Sequence, residues 1–250
     1  SIRAGLVFQL KEAVGVEAIR ARESSFIRRA IERWERHPKL EILGNREADR
    51  LSIVSFVVRH EEPSGSRRYL HHNYVVALLN DLFGIQARGG CSCAGPYGHR
   101  LLGIDLDRSH EFERQISRGC EGIKPGWVRV NFNYFISEPV FEYLLAAVEL
   151  VADHGWRLLP HYRFDPASGL WQHRHGPAEA PLSLRDVRYT GGRMAYPVHR
   201  RREPEDRLTD YLAEARALLA SPPAPPGPPD RAPVDGDFET LRWFPLPHEV

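Results

Sequence analysis

Lysine is the scarcest charged residue of this chain. Only three of its 34 basic residues are lysines, and they are Lys11, Lys39 and Lys124. A reaction that needs a lysine amine would therefore have to use one of these three. Lys11 falls in the first predicted helix, Lys39 in a turn between a helix and a strand, and Lys124 beside a proline in a loop. The shortage makes a catalytic lysine easy to look for.

Cysteines and long apolar runs are scarce as well. The chain has three cysteines, and Cys91 and Cys93 are separated by one residue, which makes a poor disulfide framework. It has no run of eighteen apolar residues, which excludes a membrane-spanning helix. Its first residues are typical neither of a signal peptide nor of a transit peptide. We therefore expect a protein of the reducing cytoplasm.

Net charge is nearly absent. The formal charge is +1, so the sequence indicates neither nucleic acid nor an anionic membrane as a partner. With 250 residues, 42% of them hydrophobic and 27% charged, the chain is long enough for one large domain or two small ones. The composition is that of an ordinary globular protein.

Periodicity divides the chain into four parts. Residues 1–37 are predicted to be helical, because apolar residues recur at helical spacing until Pro38. In residues 38–156 the predicted helices and strands alternate, which indicates an α+β fold, a small sheet with helices packed on one face. Residues 157–220 are expected to add a hairpin and an amphipathic helix. Residues 221–250 are expected to form a proline-rich arm and an apolar tail that docks on the surface.

Within the α+β part, particular residues mark the elements. Residues 51–58 are apolar on both faces and predict an inner strand. Residues 127–134 alternate between apolar and polar side chains and predict a half-buried strand. We expect Asn73 to cap the start of a helix that ends at Gly84, and Ser137 to cap the start of a later helix.

One segment, residues 88–96, is rich in reactive groups. Its sequence RGGCSCAGP holds two thiols, one guanidinium and three glycines. Glycines let the backbone approach a ligand, and a nearby arginine favours the reactive thiolate form of a cysteine. We therefore expect a site here. Two alternatives remain open: Cys93 is a small buried side chain, or Cys91 and Cys93 hold a metal together with Cys120 or His99.

A second candidate site lies in the alternating strand. Arg129, Asn131 and Asn133 fall on the face opposite Val128 and Val130, so that a charge lies at the middle of the strand. This pattern indicates a polar cleft, where a guanidinium can bind a carboxylate through two parallel hydrogen bonds. The alternative is a structural ion pair on a partly exposed strand.

Two pairs of histidines are not expected to be functional. His71 and His72 precede a predicted helix, which indicates surface placement or helix capping. His173 and His175 fall in a stretch that we interpret as a solvated loop.

The two candidate sites, in this order, resemble the C-terminal region of class V pyridoxal-phosphate-dependent aminotransferases. This group includes cysteine desulfurases and selenocysteine lyases. Their small domain carries an Arg-x-Gly-x-x-Cys-Ala-x-Pro loop, which is followed by a strand with an arginine. Matching positions are Arg88, Gly90, Cys93, Ala94 and Pro96 in the loop, and Arg129 in the strand. The resemblance covers residues 1–155.

The resemblance implies a role for each of these residues. Arg129 would bind the α-carboxylate of an amino-acid substrate, with Asn131 on the same substrate-binding face. Arg88 would hold the substrate or the loop. Cys93 would be the catalytic thiolate, which in desulfurases takes sulfur from the substrate. The full-length enzyme would be a homodimer.

The cofactor is expected outside these residues. Pyridoxal phosphate forms a Schiff base with a lysine, which family members carry in a large domain before the small one. That lysine follows a strand end with serine or threonine and histidine, and none of the three lysines here has this context. We therefore expect the C-terminal part of a longer enzyme, with no covalently bound cofactor and no turnover by itself. The alternative is a non-catalytic interaction domain that keeps the small-domain fold.

Overall fold

The computed structural model describes residues 2–61, 65, 67–91, 95–176, 183–196, 203–221 and 236–250. The α-helices in these residues are α1 Ile2–Val14, α2 Val16–Glu35, α3 His72–Phe83, α4 Gly95–Leu101, α5 Leu106–Ser117, α6 Glu138–His154, α7 Arg207–Ala220 and α8 Gly236–Leu241. The strands are β1 Leu40–Ile42, β2 Ile53–Glu61, β3 Arg67–Tyr69, β4 Arg88–Gly90, β5 Trp127–Asn131, β6 Tyr162–Asp165, β7 Leu170–His173, β8 Arg188–Thr190 and β9 Arg193–Ala195.

The central sheet is small and antiparallel. Its strands lie in the order β1, β2, β5, β4, and β3 pairs with the outer end of β2. As the apolar character of residues 51–58 predicts, β2 is an inner strand. In β5, Val128 and Val130 are buried in the main core, while Arg129 lies on the opposite face of the strand.

Helices α2, α3 and α6 pack on one face of this sheet. Trp34 of α2 packs against Phe56 of β2 with ring centroids 5.3 Å apart, and Phe26 stacks on Phe141 of α6 at 4.5 Å. Tyr74 of α3 is fully buried in the same core. Each such aromatic side chain contributes about 1.5–3 kcal/mol through burial alone. The α+β fold that the sequence predicts is confirmed.

The opposite face of the sheet has a smaller apolar cluster. Leu43, Val57 and Trp127 form it, and Leu101 of α4 packs against them. Helix α4 follows directly on the cysteine segment and was expected to be part of a loop. It leaves the part of this face around Arg129 open to a cleft.

The C-terminal part joins the main core. The β6–β7 hairpin, predicted with its turn at residues 165–169, buries Phe164 and Trp171, and the apolar tail buries Phe238 and Phe244. Docking of the tail therefore agrees with the sequence-based expectation. Helix α8 within the tail was not predicted. Residues 222–235, which hold most of the proline-rich arm, lie outside the described residues.

The first helix contrasts with the rest of the chain, because none of its described side chains is buried. Ile2, Leu6 and Phe8 are 81%, 60% and 66% exposed. Gly15, with φ 89°, separates α1 from α2 and divides the predicted helical run of residues 1–37 in two. Within the described residues, no helix is both long and apolar enough to cross a membrane.

Some local predictions were wrong. His71, not Asn73, caps α3, since its Nδ1 accepts a hydrogen bond from the backbone N–H of Asn73 at 3.1 Å. Both His71 and His72 are buried, contrary to the surface placement that we considered, and the alternative, helix capping, is confirmed for His71. His173 belongs to β7 and is half-buried, so the solvated loop expected there is wrong for His173, whereas His175 is exposed in a turn as expected.

Candidate functional site

The candidate site is built on the pairing of β4 with β5. Arg88 of β4 lies directly opposite Arg129 of β5, and Ser55 of β2 lies opposite Arg129 on the other side. Because residues directly opposite in a sheet point to the same face, both guanidinium groups project from one surface. Arg88 is exposed and Arg129 is half-buried. The two arginines that the sequence singled out are thus brought together.

A cleft of about 690 Å³ contains both arginines. Its lining also includes the amides Gln86, Asn131 and Asn133, and Tyr143, whose hydroxyl donates to the carbonyl of Phe83. Its lining includes no aspartate or glutamate, and Ile53, Ile136, Leu144 and Leu208 are among its apolar members. A cleft with two guanidinium groups and three amides has an excess of hydrogen-bond donors and positive charge, which suits an anion.

Neither guanidinium group of the cleft has a hydrogen-bond or ion-pair partner among the described residues. Several arginines elsewhere in the chain do bind carboxylates: Arg29 binds Glu138 at 2.8 Å, for example, and Arg33 binds Glu149 at 2.6 Å. Like charges directly opposite in a sheet destabilise it, so two unneutralised arginines at this place are unfavourable for folding alone. The arrangement is typical of a binding site, where local rules of stability are broken for function.

The backbone of this site rests on buried polar groups. A Cβ atom at Gly89 would lie 2.6 Å from Asn73 Oδ1 and 2.9 Å from His72 Nδ1. Asn73 is held in turn, since its side-chain amide donates to the carbonyl of Gly169 at 2.8 Å. Gly90 has φ 111°, a conformation that other residues rarely adopt. This explains why the segment needs glycine at both positions before Cys91.

His72 lies beneath this segment, and the ring of His71 packs against that of His72 with centroids 4.3 Å apart. His71 Nε2 lies 3.1 Å from the carbonyl of Gly122, and its ring stacks on Trp243 at 5.2 Å. Burial lowers the pKa of His71 well below its ordinary value, and the neighbouring His72 lowers it further. Burial also lowers the pKa of His72. Both imidazoles are therefore neutral at pH 7 and support the strand without adding charge to the cleft.

The catalytic prediction for Cys93 lies outside the described residues, because the description stops at Cys91 and resumes at Gly95. Cys91 and Cys120 are free thiols. In the described part of the chain, no group of three histidine, cysteine, aspartate or glutamate side chains could hold a metal ion. The role of Cys93 stays a prediction.

The lysines are engaged away from the cleft. Lys39 Nζ donates to the carbonyl of Asp153 at 2.9 Å, and Lys124 forms an ion pair with Glu121. Lys11 lies on the exposed helix α1. None of the three lines the cleft of Arg88 and Arg129.

Sequence reasoning missed some residues of this region. Gln86 was not singled out, although its place between the helix-capping Gly84 and Arg88 puts it on the cleft wall. The supporting role of His72 and Asn73 was missed too. In the sequence, only the position of two histidines beside an asparagine could have pointed to this role. The contacts of His72 and Asn73 with Gly89, and of His72 with Gly126, are formed by the tertiary fold.

Residues 2–110 match the model of a family described as aminotransferase class-V. The matched stretch is less than half of the chain. It includes Arg88 and the cysteine segment and ends before β5, so that Arg129 and Asn131 lie outside it. Enzymes of this family generally depend on pyridoxal phosphate. No curated protein gives a significant match to the chain.

Proposed function

We propose that this chain, whose residues 2–110 belong to the class V aminotransferase family, supplies the substrate-binding small domain of a pyridoxal-phosphate enzyme that acts on an amino acid. The observation that carries the proposal is the pairing of Arg88 with Arg129 in a cleft without a carboxylate. An amino acid offers the complementary group, a carboxylate. The family match supports the class of enzyme, and the geometry supports the substrate class.

In this proposal Arg129 binds the carboxylate of the substrate. Its guanidinium offers parallel N–H donors that fit the two carboxylate oxygens. Arg88, on the facing strand, adds a second positive charge, and Asn131 adds amide donors at the end of β5. These groups hold the substrate in one orientation, so that less entropy is lost when the transition state forms.

The residues present do not fit the cofactor itself. Pyridoxal phosphate supplies the electron sink of the reaction and needs a lysine, a carboxylate at its ring nitrogen and donors for its phosphate. The cleft lining contains neither a lysine nor a carboxylate. We therefore propose that the cofactor is held by a large domain outside residues 1–250, and that the enzyme is a homodimer.

The exposed apolar side chains of α1 are consistent with contact between this chain and such a domain. Leu6, Val7 and Phe8 have more than half of their surface exposed, which is unfavourable unless another polypeptide surface covers it. We propose that α1 belongs to the linker between the two domains. The small domain then consists of residues 38–156 together with α2 and the C-terminal part, whose side chains lie in the same core. In this proposal the surface that holds the cofactor lies next to the chain, and the lysine that binds the cofactor comes from the large domain.

A cysteine desulfurase-like activity is the narrower form of the proposal. It rests on the position of Cys93 in the loop after Arg88, which the sequence resemblance assigns to the sulfur-accepting thiolate. Transamination needs no thiol there. Replacement of Cys93 by serine in the full-length enzyme therefore separates the two: it would abolish sulfur release from cysteine in a desulfurase and leave a transamination nearly unchanged.

Sequencing the gene on the 5′ side of the codon for Ser1 tests the proposed enzyme class. We expect an open reading frame for a large domain in which a lysine follows a strand end with serine or threonine and histidine. If no such domain is encoded there or in a neighbouring gene, the enzyme proposal is wrong. A non-catalytic interaction domain with the same fold would then be the better interpretation.

A further inference from the structure

A second cleft lies on the C-terminal part of the chain. It has a volume of about 990 Å³ and lies between the β6–β7 hairpin, the end of α3 and the end of α7. Its lining shares no residue with the cleft of Arg88 and Arg129. Arg157, His161 and His173 bring nitrogen groups to it, and Tyr162 and Trp171 bring aromatic rings.

The rings of this cleft are arranged for contact with a planar group. The imidazoles of His161 and His173 are almost parallel, with an interplanar angle of 5° and centroids 6.2 Å apart. Tyr162 meets His173 edge-on at 5.4 Å. Leu158 and Leu170 add apolar surface to the lining. Clefts that bind small molecules combine such an apolar and aromatic wall with a few polar groups.

Two buried donors of the lining have no hydrogen-bond partner among the described residues. They are Nε of Arg157 and Nε1 of Trp171, and the Trp171 side chain is only 4% exposed. The guanidinium of Arg157 is held in place, since its Nη1 donates to the carbonyl of Leu219 at 3.2 Å. Buried donors are almost always satisfied in proteins. Both atoms have almost no accessible surface, so a ligand in the cleft does not reach them. The Nη2 group of Arg157 is accessible and has no hydrogen-bond partner among the described residues, so it can donate to a ligand that carries acceptor oxygens.

The charges of the cleft favour an anionic acceptor. Its one lining carboxylate, Asp81, is already engaged, because the hydroxyl of Tyr162 donates to it at 2.8 Å and the amide of Asn80 at 3.0 Å. Arg157 has no carboxylate partner among the described residues. A metal ion is not the expected occupant, since the described histidines and acids form no group of three that could hold one.

We propose that this cleft binds a small aromatic ring compound that carries a phosphate or carboxylate group. The ring contacts the imidazoles of His161 and His173. The anionic oxygens accept hydrogen bonds from the guanidinium of Arg157. The site is independent of the proposed amino-acid site.

The test uses the whole chain and four probes: phenyl phosphate, benzoate, inorganic phosphate and phenol. Binding is followed through the imidazole NMR signals of His161 and His173, which single histidine variants assign. We expect at least one of the two ring anions to shift both signals and to bind at least about tenfold more tightly than inorganic phosphate or phenol. The comparison of phenyl phosphate with benzoate shows which anion the site prefers.

Variants locate the binding. Arg157→Lys keeps the charge and removes the Nη2 donor, and it should weaken the preferred ring anion about tenfold, as expected for the loss of one hydrogen bond to a charged group. His173→Gln removes one ring and should weaken the same ligand by about two- to tenfold, as expected for the loss of one ring contact. His173→Gln keeps the test valid if Arg157→Lys fails to fold. His110→Gln on α5 and Arg129→Gln in the other cleft are controls and should leave the affinity unchanged. The proposal is wrong if neither ring anion shifts the two signals, or if Arg157→Lys and His173→Gln both leave the affinity unchanged.

Discussion

Arg88 and Arg129 are direct partners across β4 and β5, and neither guanidinium meets a carboxylate among the described residues. Facing positive charges oppose the pairing of the two strands. The same two positive charges favour the binding of an anion between them. This relationship links the stability of the sheet edge to the binding of a carboxylate.

The first prediction is that Arg88→Gln stabilises the ligand-free chain. Removing one of two facing charges should raise the free energy of unfolding by about 0.2–1 kcal/mol, and less at high salt because Arg88 is exposed. Urea denaturation at two salt concentrations measures this. The matched control is Arg59→Gln, because Arg59 pairs with Glu41 at 2.9 Å and its removal should give no gain. Equal effects of both variants would contradict the account.

The second prediction concerns the close packing beneath the site. A Cβ atom at Gly126 would lie 2.6 Å from the ring of His72 and 2.8 Å from the backbone of Gly90. Gly126→Ala should therefore destabilise the chain by about 1–3 kcal/mol, as overpacking does. Gly5→Ala is the control, since nothing lies within 4 Å of its Cβ position and alanine favours a helix. The melting temperatures of the two variants measure this. If Gly126→Ala lowers the melting temperature no more than Gly5→Ala does, the packing around Gly126 is not as close as described.

The third prediction is a loss of stability in mild acid. Burial lowers the pKa of His71 and of His72 in the folded chain, while in the unfolded chain each titrates near the ordinary value of about 6.5. Below that pH the unfolded chain binds more protons, so the free energy of unfolding falls as the pH falls. Each histidine contributes at most about 1.4 kcal/mol per pH unit.

Denaturation curves between about pH 7 and 5.5 measure this slope. His71→Gln should reduce it, whatever the variant does to stability at pH 7. His248→Gln is the control because His248 is exposed, and it should leave the slope unchanged. A slope that is the same in wild type and His71→Gln would show that His71 does not titrate in this way.

The fourth prediction concerns the tail that closes the C-terminal part. The side chain of Arg242 is 3% exposed and binds Glu239 at 2.7 Å and Glu249 at 2.5 Å. Arg242→Met should destabilise the chain by about 2–4 kcal/mol, because it removes the buried guanidinium that both carboxylates and the carbonyl of Phe244 bind. Arg118→Met removes an exposed pair with Asp237 and should change stability by less than about 1 kcal/mol. Similar losses for both variants would contradict a specific role of Arg242.

The local pattern of the sequence predicts most elements but not their details. Alternation in residues 127–134 gives the buried face of β5 correctly, since Val128 and Val130 enter the core. The cap of α3 was assigned to Asn73 because asparagine is usually the better cap. In the fold Asn73 instead uses its side chain on Gly169, and His71 caps the helix. That choice is made by a distant segment, which no local pattern contains.

The candidate site was predictable in its residues and not in its geometry. The sequence identifies Arg88 and Arg129 separately, one by its glycine-rich context and the other by its place in an alternating strand. Their pairing depends on the strand order of the sheet, which places β4 beside β5. The cleft of His161 and His173 escaped prediction for the same reason, because its walls come from α3, the hairpin and α7.

Binding of an amino-acid carboxylate at Arg129 tests the central claim most directly. The side-chain N–H signals of Arg129 and Arg88 are followed by NMR while the chain is titrated with L-alanine or with L-alaninamide, which keeps the amine and lacks the carboxylate. We predict that L-alanine shifts the signals of both arginines, that alaninamide does not, and that Arg129→Gln abolishes the response of Arg88. Equal responses to both compounds, or no response to L-alanine at high millimolar concentration, would contradict a carboxylate site between Arg88 and Arg129.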